Sequence, residues 1–262
     1  MKIKIILVAI FLSILTNSIR GQDEKRKFLF LETGIDGIGC STPDKDYIRA
    51  VSDPSTSQYY SDKIKALMLL ESIGLKFEYR TVSNMFGFSG GLQYTRMITS
   101  IGRDSYMSSA PDYFYVHYDQ NSINTEYAKV RELNQKVDYL GIPLELRIYP
   151  YKDHKVNFYY KAGVSFNLKI NSKSDIVFYN NFMETYRNDV IKVVEKAAPY
   201  YTTFNFGIGL KVGKSEKPGF SIEVNAPIGV IFPDKSYFVK PQAGGGVQIM
   251  ARIPINNPKN EK

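Results

Sequence analysis

The sequence of 262 residues contains no tryptophan, a single cysteine, Cys40, and only two histidines, His117 and His154. A single cysteine excludes an internal disulfide framework and any zinc or iron–sulfur site that needs several cysteines. Two histidines leave little material for a histidine-based metal cluster. From these two counts we expect no metal site. Beyond the N-terminus, no stretch approaches the length of about 18 uninterrupted apolar residues that would predict a transmembrane helix.

The composition places the chain among ordered proteins. Hydrophobic residues make up 44% and charged residues 23%, and the aromatic residues are 20 tyrosines and 16 phenylalanines. These proportions exclude a disordered chain and a helical membrane bundle. The formal net charge of +8 is too dispersed to predict a nucleic-acid partner, which requires a clustered basic face.

The N-terminus has the organisation of a secretory signal peptide. Lys2 and Lys4 precede an apolar run over residues 5–15, and Gly21 is a small residue suited to cleavage. The run is too short to cross a bilayer, which takes about 20 apolar residues. We predict a signal peptide at residues 1–21 and a mature domain at residues 22–262. The exported protein is then either soluble or embedded in the membrane as a β-barrel.

Strict alternation of apolar and polar residues is the strongest pattern in the chain. Within residues 140–148 every second residue is apolar, which is the period of a strand with two different faces. Segments of this kind predict eight strands near residues 28–36, 67–82, 87–97, 137–149, 156–169, 200–212, 219–231 and 239–255. In the seventh strand we expect the apolar face to continue through Ile228 and Val230.

The connections between these strands alternate between short and long. Residues 150–155 and 213–218 form short turns, whereas residues 37–66, 98–136 and 170–199 form long loops. Short turns at one end and long loops at the other are typical of transmembrane barrels. The predicted fold is all-β, an eight-stranded antiparallel up-and-down transmembrane β-barrel with long external loops, located in the cell outer membrane as a monomer.

The polar faces decide how such a barrel is oriented. They carry charges of both signs, on Glu32, Asp36, Glu78, Glu145, Glu223, Lys76, Arg80, Arg147, Lys161, Lys211 and Arg252. Placed against lipid, each lysine or arginine at the midplane costs about 2–4 kcal/mol. We therefore expect the charges to pair inside the lumen and the apolar faces to meet lipid. A soluble lipocalin-like carrier, with its apolar faces inward, remains the alternative.

Three segments of the sequence resemble a known family. They are FLFLETGIDG at 28–37, YLGIPLELRIYP at 139–150 followed after a turn by FYYKAGVSFNL at 158–168, and AGGGVQIMARIPI at 243–255. With these segments the chain resembles the PorT-type outer-membrane β-barrel family of Bacteroidota. The resemblance implies an outer-membrane barrel of about eight strands without a family active-site motif. Some relatives assist protein secretion or gliding machinery.

Candidate functional residues are few. Gly34, Gly37 and Gly39 do not have the spacing of a phosphate loop and predict a turn leaving the first strand. Cys40 is expected to be a lone thiol in an external loop. Only His117 has neighbours suited to catalysis, and those neighbours are Asp112, Asp119, Ser108 and Ser109. His154 is placed in a turn at the opposite end of the barrel. We expect no catalytic residue and no cofactor.

Residues 181–198 have helical spacing, with Phe182, Tyr186, Val190 or Ile191, and Val194 on one side. This predicts a short helix over the barrel mouth, with a partner-binding helix as the alternative. The expected function is structural or loop-mediated binding, with outer-membrane lipid around the barrel. A protein partner would bind loops 37–66, 98–136 and 170–199. Accessory roles in secretion or surface assembly and a lipocalin-like carrier are the alternatives.

Overall fold

The computed structural model describes residues 27–42, 45–49, 64–81, 85–102, 113–120, 125–151, 154–213, 217–233 and 237–255. The predicted signal peptide at residues 1–21 lies outside this part of the chain. Within it, the protein is built almost entirely from antiparallel strands.

The elements are as follows in chain order. The strands are β1 (Lys27–Ser41), β2 (Ile48–Arg49), β3 (Lys65–Arg80), β4 (Phe86–Gly102), β5 (Phe114–Gln120), β6 (Thr125–Ile148), β7 (Val156–Phe178), β8 (Tyr200–Val212), β9 (Gly219–Ile231) and β10 (Lys240–Pro254). A 3-10 helix, Asn181–Tyr186, leads directly into the α-helix α1, Arg187–Val193.

Eight of these strands form a closed ring. The pairing order is β1, β3, β4, β6, β7, β8, β9, β10 and back to β1, and every pair is antiparallel. These are the eight strands that the alternation predicted. Because the first strand pairs with the last, the ring has no free edge.

β2 and β5 lie outside the ring and are not among the eight predicted strands. β5 pairs with the beginning of β6, with Phe114 in register with Val130, and β2 pairs with β5. Loop 98–136 is therefore largely strand, and loops 37–66 and 170–199 are shortened by the upper ends of β1 and β7. The predicted loops are therefore shorter than expected, because the strands continue beyond the segments of clean alternation.

A bulge in β9 overturns the predicted face of its upper half. Two residues of β9, Ala226 and Pro227, stand opposite one residue of β10, Gly245. One extra residue exchanges the two faces of a strand, and proline is tolerated at such bulges. As a result Ile228 and Val230 point into the ring and are buried, so the expectation that the outward face continues through them was wrong.

The interior of the ring has two layers. The layer nearest the short turns holds charged side chains, and the layer nearest the long connections is apolar. The apolar layer is formed by Ile38, Met68, Leu70, Met97, Ile101, Leu133, Val137, Ile176, Ile228 and Val230, together with residues that cover it from above. We call the covering part the cap: β2, β5, residues 125–132 of β6 and residues 179–199.

α1 closes the cap over the apolar layer, as predicted. Val190 and Val194 are buried in the same cluster as the ring residues. Phe182, which was expected on the buried side, is 90% exposed. The first six residues form a 3-10 helix rather than an α-helix, and its three residues per turn change which side chains share a face.

Candidate functional site: the outer surface, the lumen and the cap

The outer surface of the ring is apolar over a continuous band. The outward side chains of this band are 36–65% exposed: Leu31, Ile35, Ile73, Leu75, Phe77, Phe88, Leu92, Leu140, Ile142, Ile148, Phe158, Tyr160, Phe166, Leu168, Phe204, Phe206, Ile208, Phe220, Ile222, Val224, Val247, Ile249 and Ile253. A band that encircles the ring far exceeds the patches of a few hundred Å² found on proteins in water.

A row of outward charges marks the upper boundary of the band. Glu71, Arg96 and Asp138 are in register across β3, β4 and β6. Arg96 Nε donates to Asp138 Oδ1 at 3.0 Å, and the Tyr94 hydroxyl donates to the same oxygen at 2.5 Å. Asp138 precedes Ile148 by ten positions, which corresponds to about 25 Å along the ring axis for strands tilted by about 40°. That height matches the apolar band of outer-membrane barrels.

The inner surface carries the charges. All of the charged residues that were predicted to face the lumen are buried, with at most 8% of each exposed: Glu32, Asp36, Glu78, Glu145, Glu223, Lys76, Arg80, Arg147, Lys161, Lys211 and Arg252. The predicted orientation of the two faces is therefore confirmed.

Arg147 lies at the centre of the lumenal charges. Its Nη1 is 3.0 Å from Glu78 Oε2, and its Nη2 is 2.8 Å from Glu145 Oε2 and 3.2 Å from Glu223 Oε1. The guanidinium also lies 4.8 Å from the ring centroid of Phe30. Three carboxylates on three different strands are thus held by one cation, so the network ties opposite sides of the ring together.

Two lysines complete this network. Lys76 Nζ lies 2.7 Å from Glu32 Oε2 and 2.6 Å from Glu145 Oε1. Lys161 Nζ lies 2.5 Å from Glu223 Oε2. Each of the four glutamates in this network therefore has a cationic partner, which buried charges need in order to be tolerated. The arrangement fills the lower lumen with side chains.

Inward glycines make room for this filling. A Cβ atom added to any of seven glycines on the polar faces of the strands would come within 3.0 Å of another atom: Gly91, Gly141, Gly163, Gly207, Gly209, Gly244 and Gly246. A side chain at any of these positions would require a neighbouring side chain or the backbone to shift.

A small cavity separates the charged layer from the apolar layer. Its volume is about 30 Å³, and its lining includes Asp36, Ser72, Thr95 and Asn167. Asp36 Oδ1 and Ser72 Oγ have no hydrogen-bond partner within the described part of the chain. A polar space of this size suits one water molecule.

The three glycines and the cysteine that the sequence analysis singled out all lie in β1. Gly34, Gly37 and Gly39 all lie within β1, so the expected turn is absent there. Cys40 belongs to the same strand, with its Sγ 3.4 Å from the Ile38 carbonyl oxygen, so its placement in a loop was wrong.

His117 is a buried residue of β5 within the cap. Its backbone N–H donates to the Tyr47 carbonyl at 2.8 Å, and its ring packs edge-on against Tyr127 with centroids 4.1 Å apart. Burial, and then the charge of Arg49, lower the pKa of His117. His154 follows the opposite end of β6. Asp112, Ser108 and Ser109 lie outside the described residues, and Asp119 is in register with Glu126.

The cap carries a cluster of tyrosines that the sequence did not place together. Tyr113 lies 5.6 Å from Tyr115 and 4.9 Å from Tyr179, measured between ring centroids. Lys129 and Arg131 approach the rings of Tyr113 and Tyr179 at 4.9 and 5.1 Å. The individual tyrosines were visible in the sequence, but they meet on one surface only because β5 pairs with β6 and the Tyr179 N–H donates to the Lys129 carbonyl of β6.

No helix in the described ranges is long and apolar enough to cross a bilayer.

Comparisons with known proteins find likenesses only among solved structures. No family model and no curated protein matches the chain. The N-terminal β-barrel domain of OprF from Pseudomonas aeruginosa aligns with 88% of this chain and 100% of its own, at 10% identity and a TM-score of 0.36. The outer membrane protein OprG from the same organism aligns over 88% and 97%, at 12% identity and a TM-score of 0.41.

The translocator domain of the autotransporter NalP from Neisseria meningitidis aligns over 92% of this chain and 91% of its own, at 10% identity and a TM-score of 0.27. Likenesses this distant carry no functional information, and the geometry of the chain itself is more informative. A closed ring of eight antiparallel strands, apolar outside and charged inside, has the construction of an outer-membrane β-barrel.

Proposed function

We propose that this chain spans the outer membrane as an eight-stranded up-and-down β-barrel, with residues 1–21 as its export signal and the cap on the cell exterior. The observation that carries the proposal is the outward apolar band on a closed ring whose charges face inward. In water this arrangement would expose a continuous apolar surface while burying charges. In a bilayer each face has a suitable environment.

The proposed role is structural or adhesive, with an unidentified partner bound by the cap and the connections within 37–66, 98–136 and 170–199. A role as a general pore has little support, because ion pairs and apolar side chains fill the lumen. The cavity between them, of about 30 Å³, suits a single water molecule rather than a stream of solutes. We propose no catalytic role, since the His117 ring is packed against Tyr127.

Two alternatives are less well supported. Membership of the PorT-type family, and with it an accessory role in secretion or surface assembly, rests on the resemblance of segments 28–37, 139–150, 158–168 and 243–255. A soluble lipocalin-like carrier would need an apolar lumen throughout. The outward positions of Leu31 and Ile142, both more than half exposed, favour the membrane barrel over that carrier.

Fractionation tests the proposal directly. The full chain is expressed in a Gram-negative host, membranes are separated and extracted with detergent, and gel mobility is compared between unboiled and boiled samples. We expect the protein in the outer-membrane fraction, with a mobility that changes on boiling because the ring resists the detergent until heated. Recovery in the soluble periplasmic fraction without a mobility change would instead support the carrier.

A further inference from the structure

Two exposed lysines, Lys136 on β6 and Lys173 on β7, lie directly opposite each other on the outer wall of the ring. Like charges in directly opposite positions of an antiparallel pair repel each other and weaken the pairing. Neither ammonium group forms an ion pair or a hydrogen bond with another residue of the described ranges. The protein therefore keeps an uncompensated pair of positive charges at this position.

The nearest outward carboxylates are already engaged by arginines. Asp138, two residues after Lys136 on the same face of β6, accepts hydrogen bonds from Arg96 and Tyr94. Asp175, two residues after Lys173 on the same face of β7, accepts a hydrogen bond from Arg187 Nη1 at 2.6 Å. With both acids neutralised by other partners, the positive charge of the lysine pair is left for a ligand.

The height of the lysine pair matches a lipid headgroup. Lys136 precedes Ile148 by twelve positions, which places it about 30 Å along the ring axis from that residue, about 5 Å above the charged boundary row. The headgroup region of a bilayer extends roughly 5–7 Å beyond each face of the hydrocarbon core. A lipid whose acyl chains cover the band below would bring its phosphate to this level.

We propose that Lys136 and Lys173 together bind the phosphate group of a lipid in the leaflet next to the cap. A phosphate monoester carries between one and two negative charges and several acceptor oxygens, so one group can bridge two ammonium donors. Binding removes the repulsion within the pair and fixes one lipid against the β6–β7 wall. This inference rests on the proposed membrane-spanning function.

Native mass spectrometry of the full chain, folded in a nonionic detergent, tests the site. The probes are phosphatidic acid and a diacylglycerol with the same acyl chains, which differ only in the phosphate. The variant Lys136→Gln/Lys173→Gln is compared with the control Lys192→Gln/Lys196→Gln, which removes two exposed lysines from α1 and the segment after it. We expect about tenfold weaker retention of phosphatidic acid in the first variant, and wild-type retention in the control.

The possible outcomes are separable. Equal retention of the two lipids by the folded wild type, or unchanged retention in the first variant, overturns the lipid site while leaving the barrel intact. Inorganic phosphate that raises the thermal stability of wild type alone, without lipid, would assign the pair to free phosphate and also overturn it. A chain that shows no heat-dependent mobility in detergent contradicts the proposed function, and the lipid site with it.

Discussion

Arg147 is the side chain on which the lumenal charges depend most directly. It contacts Glu78, Glu145 and Glu223, and it is fully buried. The attraction between these charges offsets the large free-energy cost of removing them from water. The complete network therefore stabilises the fold about as much as apolar side chains of similar volume would. Removing Arg147 alone is destabilising, because Glu78, Glu145 and Glu223 stay buried without the guanidinium that they share.

Arg147→Met is therefore expected to lower the free energy of unfolding by about 3–5 kcal/mol. The matched control is Arg187→Met, because Arg187 also pairs with two carboxylates, Asp175 and Glu184, but lies at the surface. We expect a change below about 1 kcal/mol there. Urea unfolding of both variants in lipid vesicles measures the difference. Equal effects of the two substitutions would contradict the central role of Arg147.

Gly209 shows how tightly the lumen is filled. An added Cβ would meet the ring of Tyr159, whose hydroxyl donates to Glu223 Oε1 at 2.7 Å. Gly209→Ala should displace that ring and lower stability by about 1–3 kcal/mol. Gly229→Ala on β9 is the control, since nothing lies within 4 Å of its added Cβ, and stability there should stay unchanged or rise by less than about 1 kcal/mol. Urea unfolding midpoints distinguish the two, and similar midpoints would argue against a packed lumen.

At the scale of elements, α1 is the part of the cap that seals the apolar layer. Its Val190 side chain is completely buried, whereas Phe182 in the preceding 3-10 helix points into solvent. The short α1, Arg187–Val193, has too few residues to be stable alone in water. Its order must therefore come from packing on the ring.

Val190→Ala removes two buried methyl groups and should weaken the closure of the cap by about 2 kcal/mol. Amide hydrogen exchange should rise in α1 and β5 while the ring strands keep their protection. Phe182→Ala serves as the control and should leave exchange in α1 unchanged. Faster exchange throughout the ring, or an equal response to Phe182→Ala, would show that α1 does not act as a separate lid.

The bulges explain why elements were easier to predict than their ends. Alternation identifies a strand as long as one face stays apolar, which holds through the band. At Ala226 and Pro227 in β9 one extra residue exchanges the faces, and above the bulge apolar residues point inward instead. The same happens at Ile170 in β7, which has no counterpart between Asp138 and Tyr139. When the alternation of apolar and polar residues changes phase within a strand, it no longer predicts one continuous strand. The upper ends of these strands were therefore assigned to loops.

For the whole molecule, the apolar band decides where the ring is stable. Leu75 lies near the middle of the band and Leu67 lies on the same face of β3 beyond the charged row at Glu71, and their exposures are 51% and 55%. The two positions thus differ mainly in height along the ring axis.

Leu75→Arg should destabilise the folded ring by about 2–4 kcal/mol in lipid vesicles, because the charge enters the hydrocarbon core. Leu67→Arg should change stability by no more than about 1 kcal/mol, since that position lies above the band. Unfolding by denaturant from vesicles measures both. A similar small effect at the two positions would contradict a membrane band at this height.

The lumenal part of the candidate site was predictable, whereas in the cap only the short helix over the barrel mouth was predictable. The charges of the lumen alternate with apolar residues on the same strands, so each residue is assigned to a face by its neighbours alone. The tyrosine cluster and the pairing of Lys136 with Lys173 depend on registers between strands. Those registers follow from bulges and from pairings between distant segments, which leave no periodic signal in the sequence.

The sequence by itself determined the eight strands of the ring, their two faces within the apolar band and the direction in which charges must point, because a two-residue period and the cost of charge in lipid act locally along each strand. The tertiary structure alone decided that the lumen divides into an ionic and an apolar layer, that β2 and β5 add to its cover, and that two lysines stand opposite each other on the outer wall. These features arise where segments far apart in the chain meet, and their geometry is fixed by ring closure and strand register rather than by local pattern.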